Sequence, residues 1–155
     1  MIYQANERTG LWILCKFYRA CGYRIVFTNG CFDILHEGHI RCLHQASKHG
    51  TILVVGVNGD ASVRRLKGNG RPVFTARERA FLLSRIRCVD HVAIFNEDTP
   101  EDLIRVVRPH VLVKGSDWKY RPIAGSNLVE EVKFIPYLDG HSTTEIVARM
   151  RGGGA

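Results

Sequence analysis

Phe27-Thr28-Asn29-Gly30-Cys31-Phe32-Asp33-Ile34-Leu35-His36-Glu37-Gly38-His39 reads as a buried strand, a glycine-bearing turn and the opening of a helix, with two histidines flanking a glycine. Such a joint aims turn amides, a helix N-terminus and two imidazoles at one spot. Phosphate groups use all three, and a triphosphate uses them best. Gly38 has no side chain to keep a phosphate off the backbone, and His36 and His39 can donate to one set of phosphate oxygens. A pair of core histidines would satisfy a lone HxGH, but the preceding Asn29-Gly30-x-Phe32-Asp33 argues against it. Neither a GxxxxGK[ST] loop nor a GxGxxG after the first strand is present.

Outward from this joint, strand and helix signals alternate. Arg24 to Thr28 is a short apolar strand, and His39 to Lys48 has helical spacing that stops at Gly50. Thr51 to Val57 is a β-branched run suited to a parallel strand covered on both faces. Asp60 is positioned to cap a short helix toward Leu66, and Lys67-Gly68-Asn69-Gly70-Arg71-Pro72 is a cationic loop. Thr75 with Glu78 forms a capping box. His91 to Phe95 is a third strand, and a helix runs from Pro100, as its first residue, to before Pro109. Val111 to Lys114 and Lys133 to Tyr137 are further strands, and Ser142 with Glu145 opens a final helix to Met150. The expectation is one α/β domain, Rossmann-like, with a doubly wound, mostly parallel five-stranded sheet and helices on both faces. In such sheets ligands bind outside the carboxyl ends of the strands.

Composition narrows the class. The 155 residues are enough for one domain with a real core, and 45% hydrophobic with 24% charged residues is ordinary for a soluble globular protein. No apolar run reaches the roughly 20 residues of a membrane span, and the start lacks a secretory pattern. Leu11 to Cys15 is apolar but short, and reads as an amphipathic first helix. A cytoplasmic protein with no membrane partner is expected. The net charge of +7 invites a nucleic-acid reading, but the basic residues are scattered and not interleaved with an aromatic platform, so no nucleic acid is expected.

Five cysteines without a CxxC pair favour free thiols, mostly buried. Cys31, His36, His39 and Cys42 can be written as a zinc quartet, but structural zinc sites bring ligand pairs from separate elements. No resident metal is expected.

GCFDILHEGH and Ser142-Thr143-Thr144-Glu145-Ile146 resemble the HxGH and STT signatures of the cytidylyltransferase-like nucleotidyltransferases, from about Arg24 to Arg151. Four segments resemble the D-glycero-β-D-manno-heptose 1-phosphate adenylyltransferases within that superfamily. They are NGDASVRRLKGNGRP (58–72), FNEDTPEDLI (95–104), LVKGSDW (112–118) and IAG (123–125). Two departures, GSDW where that family shows GGDY and a basic Arg87, lean toward CTP-using glycerol-phosphate and choline-phosphate branches; Tyr137-Leu138-Asp139-Gly140 in place of RTEG leans away from them. The HxGH element also resembles class I aminoacyl-tRNA synthetases, but no KMSKS-like loop follows.

The resemblance implies transfer of a nucleoside monophosphate from ATP, or alternatively CTP, to a sugar 1-phosphate, with Mg²⁺ arriving on the nucleotide. It also implies a separate sugar kinase and phosphatase, and a homodimer or higher homo-oligomer. Residues 1–23 would be an amphipathic helical segment, 24–151 the nucleotidyltransferase domain and 152–155 a disordered tail. His36, His39 and Lys67 would be catalytic. Thr28, Asn29, Gly30, Phe32, Gly38, Asn58, Arg79, Lys114, Gly115, Asp117, Trp118, Ser142, Thr143 and Thr144 would bind the nucleotide. Within that set, Arg79 would meet phosphate, and Lys114 to Trp118 would border base and ribose. Cys31, Asp33 and Lys67 would meet the sugar phosphate, with Asp33 orienting the acceptor sugar or a turn amide rather than acting as a base.

Overall fold

The computed structural model describes residues 1–136. The expected final helix, the hydroxyl run Ser142, Thr143 and Thr144, the last residue of the expected strand at Tyr137, and the glycine tail lie outside the described residues. The chain order is β1 (Ile2–Tyr3), α1 (Arg8–Ala20), β2 (Ile25–Gly30), α2 (Glu37–Ser47), β3 (Ile52–Asn58), α3 (Asp60–Lys67) and α4 (Ala76–Ser84). There follow β4 (His91–Phe95), α5 (Glu101–Val107), β5 (Val111–Gly115) and β6 (Glu131–Ile135), with 3-10 turns at Ser116–Trp118 and Ser126–Leu128.

All strand pairs are parallel, in the order β1-β4-β3-β2-β5-β6. The sheet is therefore the expected doubly wound kind, with six strands rather than five among the described residues. The extra strand is β1, where Ile2 pairs with Val92 and Tyr3 with Ala93. Two residues are too few to show a period, so only its pairing reveals it. The Met1 ammonium donates to the Asp90 carbonyl at 2.9 Å beside it.

Strand side chains alternate between two apolar layers, as a period of two requires. Val26, Val55, Val57 and Val113 face α2 and α4, through Leu43, Ala46, Ala80 and Leu83. Ile25, Phe27, Val54 and Leu112 face α1 and α5, through Leu11, Cys15, Leu103 and Ile104. Burial on both faces explains why these strands read as continuous apolar runs.

Helix ends follow their local chemistry with two corrections. Thr75 Oγ1 accepts from the Glu78 amide while Glu78 Oε2 accepts from the Thr75 amide, the expected capping box. Pro100 stands at the cap of α5, one position earlier than expected. Asp60 does not cap α3; Gly59 holds the cap, and the Asp60 carboxylate turns to α4. α3 stops at Gly68, whose φ of +85° is the left-handed region that a side chain disfavours, and whose amide closes onto the Arg64 carbonyl.

The five cysteines are free, but only Cys15 is buried; Cys21 is exposed and the other three are half-buried, so the expected general burial does not hold. Among the described residues no helix is long and apolar enough to cross a membrane.

Candidate active site

The chain winds from β2 outward through β3 and β4, then crosses back to β5 and β6, so the switch in direction lies between β2 and β5. That ladder ends at Thr28 and Val113, although each strand continues for two residues. Asn29 and Gly30 stay paired to Gly56 and Val57 of β3. A crevice thus opens at the carboxyl ends of β2 and β5, where doubly wound sheets take ligands. Lys114 spans it, donating from Nζ to Asn29 Oδ1 at 2.5 Å. Burial, opposed by Asp117, brings the Lys114 pKa down to about 8. The Trp118 ring lies 5.2 Å from that Nζ, with the Arg121 guanidinium 5.9 Å from the same ring. Trp118 is 38% exposed, so it belongs to the surface beside the crevice and not to the core.

The turn after β2 is strained. Phe32 and Ile34 have φ of +50° and +58°, positions that side chains avoid and that a β-branched residue avoids most. Each such residue costs about 1–3 kcal/mol and persists only where its surroundings over-determine it. Two buried ion pairs do so. Asp33 accepts from Arg71 Nη1 at 2.7 Å and from the amides of Val73 and Phe74 at 3.0 and 3.1 Å. Arg79, fully buried, donates Nη1 to the Cys31 carbonyl at 2.5 Å, Nε to the Phe74 carbonyl at 2.9 Å and Nη2 to Asp60 at 2.8 Å. Together they fasten the loop between α3 and α4 onto the turn.

Two residues expected to meet the nucleotide are bonded to protein. Arg79 faces inward, its three guanidinium nitrogens each bonded to protein. Buried Asn58 donates Nδ2 to Ser62 Oγ at 3.0 Å.

The histidines come together at the start of α2. His36 is the cap residue, in an extended conformation, and its ring stacks on His39 with centroids 3.7 Å apart. The edge of Phe32 meets the His39 ring at 5.3 Å. Burial first, then the neighbouring His36, lowers the His39 pKa to about 4 against the pull of Asp33. His39 is therefore a neutral imidazole at physiological pH, and its buried Nδ1 has no hydrogen-bond partner among the described residues. Half-buried Gly38 follows the cap on α2.

Lys67 is the exposed last residue of α3 rather than a loop residue. Burial raises the Cys31 thiol pKa, while the charges of Lys67, Arg79 and Arg71 pull it down, so three cations converge on that turn. Buried Thr28, half-buried Gly115 and exposed Asp117 stand at the β2 and β5 ends. Sequence reading missed Arg71 and the anchoring role of Asp60. The loop KGNGRP held the signal for Arg71, set between Gly70 and Pro72; Asp60 had no signal beyond its helix position. A separate groove of about 540 Å³, lined by Ile2, Phe74, Phe81 and Leu82, contains none of the histidines or lysines above.

Residues 27–149 match the cytidylyltransferase-like family. Bifunctional protein HldE of a Nitratiruptor species is 55% identical over 139 residues, 90% of this chain and 30% of that protein. Its namesake in Helicobacter pylori is 49% identical over 128 residues, 83% of this chain and 28% of that protein. The chain spans less than a third of the length of these curated relatives. Among solved structures, the lipopolysaccharide core biosynthesis protein from Thermoplasma volcanium is similar at a TM-score of 0.66 and 31% identity, over 76% of this chain and 100% of that one. A family match that covers most of β2, all of β3 to β6 and the strand-end crevice, joined to the stacked HxGH pair, settles the assignment: the chain belongs to the cytidylyltransferase-like family of nucleotidyltransferases.

Proposed function

We propose that the chain transfers AMP from ATP to D-glycero-β-D-manno-heptose 1-phosphate, giving ADP-heptose and pyrophosphate. The observation that carries this reading is the stacked His36–His39 pair beside the β2–β5 crevice, in a chain 55% identical to a bifunctional HldE protein. A sugar phosphate oxygen attacks the α-phosphorus; the new P–O bond forms as the bond to the β-phosphate oxygen breaks, and that electron pair leaves with pyrophosphate. The nucleophile is already an anion, so no general base is needed. Positioning and charge neutralisation supply the acceleration.

His36 and the neutral His39 donate to the triphosphate as charge builds at the α-phosphorus. Thr28, Asn29, Gly30, Phe32 and Gly38 form the wall beneath it, and Ser142, Thr143 and Thr144 add hydroxyls. Lys67 closes over the phosphates and the incoming acceptor, which Cys31 and the Asp33–Arg71 pair border. Gly115, Asp117 and Trp118 flank base and ribose, and Lys114 stands beside them. Arg79 and Asn58 act by positioning the turn and the end of β3.

Asp33 and Asp60, carboxylates close to the turn, are engaged by Arg71 and Arg79, which fits a Mg²⁺ carried in on phosphates and water rather than one held in a protein cage. That ion, when bound, offsets charge on the leaving pyrophosphate. A cytoplasmic homo-oligomer supplied by a sugar kinase activity and followed by a phosphatase completes the reading.

Pyrophosphate release across ATP, CTP, GTP and UTP, with heptose 1-phosphate or glycerol 3-phosphate as acceptor, tests it. Turnover with ATP and the heptose is expected. A second reading, CTP-dependent transfer to a polyol phosphate, is favoured by Trp118 beside the crevice; turnover restricted to CTP and glycerol 3-phosphate would establish it instead. Salt-dependent oligonucleotide binding without pyrophosphate release would replace both with a nucleic-acid-binding module.

A further inference from the structure

Lys114 is a buried cation with no protein anion at ion-pair distance among the described residues. Its side chain ends in the β2–β5 crevice, and the residue is 8% exposed. Its ammonium meets the Asn29 amide oxygen and the face of Trp118. Asp117 acts on it from farther away, and Arg121 adds a second positive charge at the same ring. An amide oxygen and a ring quadrupole attract a cation but do not neutralise it, and a buried charge left uncompensated is unfavourable. Its lowered pKa records that cost.

The neighbouring cations are treated differently. Arg79 has Asp60 and Arg71 has Asp33, each within ion-pair distance. At the crevice the corresponding position holds asparagine, a neutral isostere of aspartate. Among the described residues nothing supplies that counter-charge, and a ligand entering the crevice can. A base carbonyl carries no more charge than the Asn29 amide and would gain nothing by replacing it. A phosphate oxygen would, and an ammonium on a flexible stem suits it as a point charge.

We propose that Lys114 is a polyphosphate ligand held in waiting by Asn29: an entering triphosphate takes the ammonium from the amide and becomes its counter-ion. The inference rests on the nucleotidyl-transfer reading and deepens it, moving Lys114 from the side of the base to the phosphates. Asn29 is then a positioning residue, which keeps the cation in the crevice and gives it up.

Calorimetric titration with ATP and with inorganic tripolyphosphate, which has no base, tests this. Lys114→Met is expected to weaken both ligands roughly 10- to 100-fold, as loss of a charged hydrogen bond does, with Lys114→Arg recovering part. Asn29→Asp places a carboxylate where the phosphate would act. It is expected to raise the melting temperature of the unliganded protein while weakening both ligands, so the test survives should Lys114→Met fold poorly. Tripolyphosphate affinity unchanged in Lys114→Met, or lost for ATP alone, would overturn the inference while parent turnover leaves the proposed reaction standing. A parent that binds no triphosphate would overturn both.

Discussion

The Arg79 guanidinium meets the Asp60 carboxylate at 2.8 Å, with Arg79 fully buried and the Asp60 side chain 31% exposed. This pair joins the start of α3 to α4, and the same guanidinium reaches the Cys31 carbonyl on the strained turn. α3 and α4 thus help to determine the shape of the turn after β2. Arg79→Met would leave Asp60 without its cation and the Cys31 carbonyl without that donor. Breaking an enclosed pair costs about 3–5 kcal/mol, and the partial exposure of Asp60 reduces the expectation to about 2–3 kcal/mol. Urea denaturation measures it, and a loss below about 1 kcal/mol would contradict the anchoring role.

In the proposed reaction the stacked imidazoles carry the chemistry. His39→Ala is expected to lower turnover by at least ~10²–10³-fold, the usual cost of one lost oxyanion-type donor, with the fold retained. Steady-state kinetics with circular dichroism as the fold control decides it. Unchanged turnover would remove the pair from the mechanism.

His39 also sets a stability limit in acid. Its folded pKa of about 4 lies below the unfolded value, so between roughly pH 6.5 and 4 the unfolded chain binds more protons. Stability therefore falls as pH drops through that window, by on the order of 2 kcal/mol for a ring so enclosed. His91, also lowered by burial, acts in the same direction. His39→Gln is expected to flatten the fall of melting temperature between pH 7 and 4.5, leaving the His91 part.

Lys114 sets an alkaline limit of a different kind. With its folded pKa near 8, the unfolded chain holds the extra proton between about pH 8 and 10.4, so this group adds stability as pH rises through that range. Phosphate affinity moves the other way, because deprotonation removes the charge. Triphosphate affinity is expected to fall above pH 8 in the parent, and Lys114→Met to lose that pH dependence. Titrations at pH 7, 8 and 9 decide it.

The Asp33 carboxylate holds Arg71 and two loop amides at once. Asp33→Ala would free the loop that ends at Thr75, with an expected loss of about 2–3 kcal/mol as buried partners go unsatisfied. The acceptor KM should rise more than the nucleotide KM, since the proposed reaction puts the loop on the acceptor side. Equal changes in both would argue against that placement.

Local chemistry decided a great deal in this chain. The apolar runs around Phe27, Val54 and Leu112 read as strands from their short length, flanking turn residues and β-branched content, and their continuous apolar character fits burial on both faces. The Thr75–Glu78 box opened its helix where expected, and the HxGH element marked the turn that leads from β2 into α2. Only the tertiary structure decided where the charges point. Lys114 and Asn29 are 85 residues apart, and Arg79 and Cys31 are 48 apart. Whether a cation faces solvent, a carboxylate or an open crevice depends on which strands become neighbours. That is why Arg79 turned inward, Asp60 left its own helix cap, and the two-residue β1 escaped notice: a side chain's partner is chosen by long-range packing, to which a local pattern of residue types is blind.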